Sequence, residues 1–118
     1  MSTPARVLIV CSDLFFSTQL RSAAQVTGAQ ADVELSAARI GERTAAGHYS
    51  AIALDLEMSG LDVAAALAAL PVENRPHVMA FGPHVQAQRL KAARDAGCDT
   101  VVPRSMAAEA LAKMVDGR

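Results

Sequence analysis

Short apolar runs alternate along this chain with longer stretches in which apolar residues recur at helical spacing. Uninterrupted aliphatic runs are typical of strands that are buried on both faces of a parallel sheet. Such runs lie at 6–10, 51–54 and 77–81, and a shorter one lies at 100–102. A further run, at 31–35, alternates charged with apolar residues, so we expect it to form a strand near the edge of the sheet.

The stretches between these runs predict five helices. Apolar side chains that recur every three or four residues form the buried face of a helix. Asp13 or Ser12 can cap the first helix, Ser36 can cap the second, and Gly28 and Gly97 suit the ends of the first and fourth. The predicted inward positions are Phe16, Leu20, Ala23, Ala24 and Thr27; Ile40; Leu61, Ala64, Leu67 and Ala68; Leu90 and Ala93; and Ala107, Leu111, Met114 and Val115.

Strands that alternate with helices through short loops predict an α/β fold with a doubly wound parallel sheet, because parallel strands need crossover connections. Five strands fit the flavodoxin-like order 2-1-3-4-5 better than the longer dinucleotide-binding order. We expect residues 1–118 to form a single domain. Neither GxGxxG nor GxxxxGK[ST] follows the first predicted strand, which argues against nucleotide binding.

Composition excludes several classes of protein. The net charge of −1 at pH 7 and the lack of a Lys/Arg-rich run predict no preference for nucleic acid. No apolar stretch approaches the length of a membrane span, and the amino terminus lacks a signal peptide's apolar core, so we expect a soluble cytoplasmic protein. The two cysteines, Cys11 and Cys98, are expected at opposite ends of the sheet, beyond disulfide reach.

The third predicted strand ends at a carboxylate, Asp55, which is followed by Glu57 and a Ser59-Gly60 turn. In open α/β sheets, ligands and chemistry lie just beyond the carboxyl ends of the strands. Asp55 is therefore placed where a functional acid would lie. An aspartate that only caps the following turn would show the same pattern.

Two segments resemble the receiver domains of two-component response regulators. LDLEMSGLD, at 54–62, resembles the family's phospho-acceptor strand and turn, with Ser59 in place of a proline, and AGCDTVVPRS, at 96–105, resembles the family's AGADDYLTKP. The similarity runs without large gaps from Arg6 to about Val115. The resemblance implies the flavodoxin-like fold and places Asp55 at the phospho-acceptor position.

The sequence departs from the family at the other active-site positions. Cys11 and Ser12 stand where the family has its acidic pair, and Gly82 stands where it has a threonine or serine. Arg104 replaces the family's lysine and is followed by a serine, where the family has a proline. This pattern is similar to that of the atypical receivers, or pseudo-receivers.

These departures predict no ordinary Mg²⁺ site, and we expect no cofactor. Mg²⁺ prefers hard oxygen ligands, whereas Cys11 offers a soft thiol and Ser12 a neutral hydroxyl. Each unit charge pair at ~4 Å is worth about 4 kcal/mol at an effective dielectric of ~20, so a phosphoryl group at Asp55 would meet strong repulsion. Asp13, Asp55 and Glu57 remain weak candidate ligands, and Asp55 is expected to pair directly with Arg104.

Cys11 admits several roles. A small buried residue is its default role, with a redox-sensing thiol and a metal site shared with Asp55 and His84 as alternatives. Asp55 should raise the pKa of the thiol and Arg104 should lower it. The sequence therefore leaves the direction of the net shift open.

The leading hypothesis is a non-enzymatic signalling module that binds a partner, a histidine kinase or an output protein, without ordinary phosphorylation. The resemblance implies the fourth and fifth helices and the strand between them as the binding face, which could also form a homodimer. The chain ends at Arg118 without an output domain, so we expect its effects to pass through a partner. The second hypothesis is a working phospho-acceptor at Asp55 that uses a histidine kinase and Mg²⁺. A flavodoxin-like cofactor binder or small enzyme is the third.

Overall fold

The computed structural model describes residues 4–116, and these residues form a five-stranded parallel sheet in the order β2-β1-β3-β4-β5. This confirms the predicted fold class and strand order. The strands are β1 (Arg6–Val10), β2 (Gln30–Glu34), β3 (Ala51–Asp55), β4 (His77–Gly82) and β5 (Thr100–Pro103). The predicted single domain spans residues 1–118 and so extends beyond the described range at both ends.

Within residues 4–116, five α-helices connect and cover the strands: α1 (Leu14–Val26), α2 (Ile40–Ala46), α3 (Val63–Ala68), α4 (Ala87–Ala96) and α5 (Ala107–Asp116). Short 3₁₀ turns at Ala37–Arg39 and Arg104–Met106 lead into α2 and α5. Gly97 follows α4 with a φ of 116°, the left-handed conformation predicted for it. None of the helices within the described range is long and apolar enough to cross a membrane.

The sheet separates two apolar cores. On one face, α1 and α5 pack through Leu20, Ala24 and Leu111 against the strands. On the other face, Ile40 of α2, the helix α3 and Leu90 of α4 cover the sheet. The central strand β3 is buried along its whole length, as its uninterrupted apolar run predicts.

Two local predictions were wrong. Ala64 and Ala68 of α3 are exposed, and the helix instead buries Ala66, with Leu70 buried just after its end. Alanines fit either side of a short helix, so the larger side chains decide which face is buried. Ser36 stands at the start of the 3₁₀ turn before α2, but its side chain makes no capping hydrogen bond.

Candidate functional site

The candidate site lies at the carboxyl edge of the sheet, where Asp55 is the last residue of β3. Neighbouring strands flank β3 on both sides, and Asp55 lies beside Phe81 of β4 in the parallel register. Only 3% of Asp55 is exposed. A buried carboxylate needs partners for both oxygens, because an unpaired charge is costly away from water.

Both carboxylate oxygens of Asp55 have partners within the protein. Oδ1 accepts a hydrogen bond from the Glu57 backbone N–H at 2.9 Å and one from Nη1 of Arg104 at 3.4 Å. Oδ2 accepts a hydrogen bond from the thiol of Cys11, with an S···O distance of 3.4 Å. The predicted pairing of Asp55 with Arg104 is therefore present.

Arg104 begins the 3₁₀ turn after β5, and its guanidinium joins three acidic side chains. Nη1 lies 3.4 Å from Oδ1 of Asp55 and 3.4 Å from Oε1 of Glu57. Nη2 lies 3.0 Å from Oδ2 of Asp13. Carboxylates from two other loops thus meet one cation from the β5–α5 connection.

Two aromatic rings complete the surroundings of the guanidinium. The central carbon of Arg104 lies 4.2 Å from the ring centroid of Phe16 and 5.7 Å from that of Phe81. The two rings contact each other, with centroids 5.3 Å apart. Sequence reasoning assigned Phe16 to a helix face and Phe81 to a strand, and it missed their role at the site. Their scarcity was an available signal, since only 3% of residues are aromatic.

Asp13 caps α1, one of the two alternatives that the sequence left open. Its Oδ1 accepts a hydrogen bond from the backbone N–H of Phe16 at 3.0 Å. That hydrogen bond, followed by the positive charge of Arg104, holds the pKa of Asp13 below its usual value. Ser12, the other capping candidate, is exposed.

Cys11 is fully buried beneath the site. Burial raises the pKa of its thiol to about 12, and the negative charge of Asp55 adds to this effect. The thiol is therefore protonated at neutral pH and donates a hydrogen bond to Asp55. A protonated, buried thiol is a poor nucleophile, which favours the default role of Cys11 over a redox-sensing one.

Cys98 lies just before β5, at the opposite edge of the sheet from Cys11, and both cysteines are free. This agrees with the prediction that they form no disulfide.

Gly82 is the last residue of β4 and is buried. A Cβ atom at this position would lie 3.5 Å from Cβ of Leu56 and 3.6 Å from Cδ2 of Leu90, which are ordinary contact distances. Space for a small side chain therefore exists, but glycine places no hydroxyl beside Asp55. Gly82 therefore contributes no side-chain hydrogen bond at this edge of the sheet.

The donor set does not fit the Mg²⁺ ion that the resemblance implies. Within residues 4–116, no group of three or more His, Cys, Asp or Glu side chains is arranged to hold a metal. Asp13, Asp55 and Glu57 direct oxygens at Arg104, and the adjacent thiol of Cys11 is a soft ligand. His84 is exposed and lines an open depression with Phe16 and Arg104, so it does not complete a cysteine–aspartate metal site.

No protein-family model and no curated protein matches the sequence significantly. Solved structures do match the fold. The signal receiver domain of a response regulator from Bermanella marisrubri superposes with a TM-score of 0.83 at 19% identity, covering 98% of each chain. The chemotaxis response regulator CheY4 of Vibrio cholerae gives a TM-score of 0.79 at 13% identity, again over 98% of each chain.

A third match is the beryllofluoride-activated NtrC4 receiver domain dimer, solved in solution. Its TM-score is 0.79 at 17% identity, and the alignment covers 95% of this chain and 93% of that one. The chain therefore has the receiver fold over nearly its whole length, as the sequence resemblance predicts.

Proposed function

We propose that this chain is a receiver-like signalling module of a two-component or phosphorelay system. It acts through protein–protein interaction and without ordinary Mg²⁺-dependent phosphorylation. The observation that carries the proposal is the state of Asp55: its oxygens already accept hydrogen bonds from Glu57, Arg104 and Cys11. These hydrogen bonds occupy three of the roughly four lone-pair positions of the carboxylate, so an incoming phosphoryl group would meet a crowded, already partnered oxygen.

The chemistry of phosphoryl transfer supports the same conclusion. Transfer to a carboxylate depends on neutralising the charge of the phosphoryl oxygens, which metal ions and positive side chains normally do. The positions of the family's acidic pair hold Cys11 and Ser12, which supply no carboxylate to hold a hard divalent cation. Arg104 supplies one positive charge, and that charge is already shared among Asp13, Asp55 and Glu57.

Gly82 supports the loss of ordinary switching. In the family that the chain resembles, a hydroxyl at this position binds the phosphoryl group and couples it to the output face. Gly82 has no side chain with which to make that bond. A phosphoryl group on Asp55 would therefore lack the first step of the usual relay.

A protein partner, either a histidine kinase or an output protein, is part of the proposal. The face formed by α4, β5 and α5 is the expected contact surface. On α4, Arg89, Lys91, Arg94 and Asp95 are exposed, so this helix offers charged groups to a partner or to a second copy of the chain. We propose a cytoplasmic, non-enzymatic role that needs no cofactor and involves neither nucleic acid nor a membrane.

Treatment of the purified chain with acetyl phosphate and Mg²⁺, and separately with beryllofluoride and Mg²⁺, tests the proposal. We expect no increase in mass and no change in the amide NMR spectrum, and Asp55→Asn should behave as the wild type does. Stoichiometric modification that disappears in Asp55→Asn would instead establish the rival function, a working phospho-acceptor. That rival is favoured by one observation, the intact aspartate at the end of β3.

A further inference from the structure

The guanidinium of Arg104 occupies a cradle made of two kinds of groups. Carboxylate oxygens from Asp13, Asp55 and Glu57 lie 3.0 to 3.4 Å from its two terminal nitrogens. The central carbon of the guanidinium lies over the ring of Phe16, 4.2 Å from the ring centroid. Only 26% of the Arg104 side chain is exposed, so the cradle encloses most of it.

The three carboxylates contact different terminal nitrogens of the guanidinium. Nη1 contacts Asp55 and Glu57, whereas Nη2 contacts Asp13. A point ion needs its oxygens around one centre, and no three acidic, histidine or cysteine side chains of residues 4–116 are placed in that way. The oxygens instead contact two separate nitrogens of one guanidinium, at 3.4 Å from Nη1 and 3.0 Å from Nη2.

The aromatic rings favour the same occupant. A guanidinium is weakly hydrated and stacks on aromatic faces through cation–π contact. Mg²⁺ gives up its water shell reluctantly, and a ring face offers no lone pair to bind it or its waters. The rings of Phe16 and Phe81 would therefore exclude a hydrated divalent ion from the place that the guanidinium fills.

We infer that this cradle is a guanidinium site, filled from within the chain by Arg104, which permanently supplies the positive charge that a divalent cation supplies in other receivers. The inference rests on the proposed function, in which Mg²⁺ is not used. One side chain then ties together the loops after β1, β3 and β5, since Asp13, Glu57 and Arg104 lie on these three loops.

A guanidinium site emptied by mutation should accept a free guanidinium and reject other cations. Arg104→Ala removes the side chain and leaves the three carboxylates and two rings in place. We expect this variant to unfold about 8 °C below the wild type. Millimolar ethylguanidinium should recover at least half of that loss, because a ligand that binds only the folded state raises Tm.

Ethylammonium and Mg²⁺ at the same ionic strength are the matched controls, and neither should restore the Tm of Arg104→Ala. The wild type should gain nothing from ethylguanidinium, because its site is filled. Stronger rescue by Mg²⁺ than by ethylguanidinium, or an equal response of the two proteins to ethylguanidinium, would overturn the inference.

Arg104→Lys gives an answer even if the alanine variant does not fold. Lysine keeps the charge but loses both the fork and the planar stacking surface. Its Tm should fall measurably, and a Tm equal to that of the wild type would show that charge alone matters, against the inference. Binding of beryllofluoride by the wild type would overturn the proposed function. If the wild type does not bind beryllofluoride but ethylguanidinium fails to restore the Tm of Arg104→Ala, only the guanidinium site is overturned.

Discussion

Asp55 and Glu34 are the two acidic residues that are buried within residues 4–116, and each is the last residue of its strand. Glu34 accepts a hydrogen bond from the Ser36 backbone N–H and lies 3.8 Å from both Arg39 and Arg43, which belong to the segment that follows. Asp55 has one arginine, which comes from 49 residues away along the chain. Both clusters stabilise a buried carboxylate. Glu34 does so with residues close to it in sequence, and Asp55 with an arginine distant in sequence.

This difference has a mechanical consequence. The Glu34 cluster fastens α2 to the edge strand from which it departs, so it reinforces a connection that the chain already makes. The Asp55 cluster joins elements that are distant in sequence, and within residues 4–116 Arg104 is the one arginine paired with Asp55. Substitution of Arg104 should therefore lower the free energy of unfolding more than substitution of an arginine in the Glu34 cluster, and it should affect more of the molecule.

The strongest expected effect comes from Arg104→Met. This change leaves the buried carboxylate of Asp55 without a cation, and it should lower the free energy of unfolding by about 2 kcal/mol. The matched change at the other cluster, Arg43→Met, leaves Arg39 and Ser36 in place and should cost less than about 1 kcal/mol. Urea unfolding at neutral pH measures both, and equal losses would erase the distinction between the clusters.

Phe16→Leu separates the aromatic contribution from the charges. Leucine keeps an apolar side chain on the inner face of α1 but removes the ring that lies against Arg104, and the loss should be about 1 kcal/mol. Phe15→Leu is the control, because Phe15 is 77% exposed and should change stability by less than about 0.5 kcal/mol. A double-mutant cycle with Arg104→Met should show positive coupling at Phe16 and none at Phe15.

Asp32 of the edge strand β2 lies 3.9 Å from Arg43 and so adjoins the Glu34 cluster, and Tyr49→Phe probes this carboxylate through pH. The hydroxyl of Tyr49 donates a hydrogen bond of 2.7 Å to Asp32, and this bond is the main reason that the pKa of Asp32 is lowered. A lowered carboxyl pKa gives stability that is present above about pH 4 and is lost as the pH falls through the folded-state pKa. The substitution should therefore cost about 1 kcal/mol at neutral pH and progressively less in acid. A cost that is constant with pH would contradict this account.

Gly82→Ala should have the smallest effect. The added Cβ meets Leu56 and Leu90 at ordinary contact distances, and the φ angle is not positive. Reduced freedom of the unfolded chain should leave stability unchanged or raise it by about 0.5 kcal/mol. Gly97→Ala is the contrasting control, because its φ of 116° should make alanine cost about 1 kcal/mol or more. Thermal unfolding should show a Tm that is unchanged or raised in Gly82→Ala and lowered in Gly97→Ala.

Much of the fold could be predicted because the strands carry uninterrupted aliphatic runs and the helices alternate with them. The site's charged members could be placed as well, since residues at the ends of parallel strands meet at one edge. This reasoning placed Asp55 at the edge, whereas Arg104 was placed there through the resemblance of residues 96–105 to the receiver family.

The parts that the sequence did not predict depend on side-chain packing. The face of α3 was wrong because alanine gives no preference between sides. The alternating pattern of β2 correctly predicted a strand near the sheet edge, but it did not indicate that Glu34 is only 5% exposed and lies 3.8 Å from Arg39 and Arg43 of the next segment. The cation–π contact of Arg104 with Phe16 depends on the side-chain rotamers in the folded protein, which the periodicity of the sequence does not encode.

The two thiols offer an intrinsic reporter of how the layers open. Cys11 belongs to the core shared with α1 and α5, whereas Cys98 belongs to the core on the opposite face. Burial raises their pKa values to about 12 and about 11, so alkylating reagents should label each one only when its own layer opens. Labelling rates at the two positions would then show whether the two cores open together or independently.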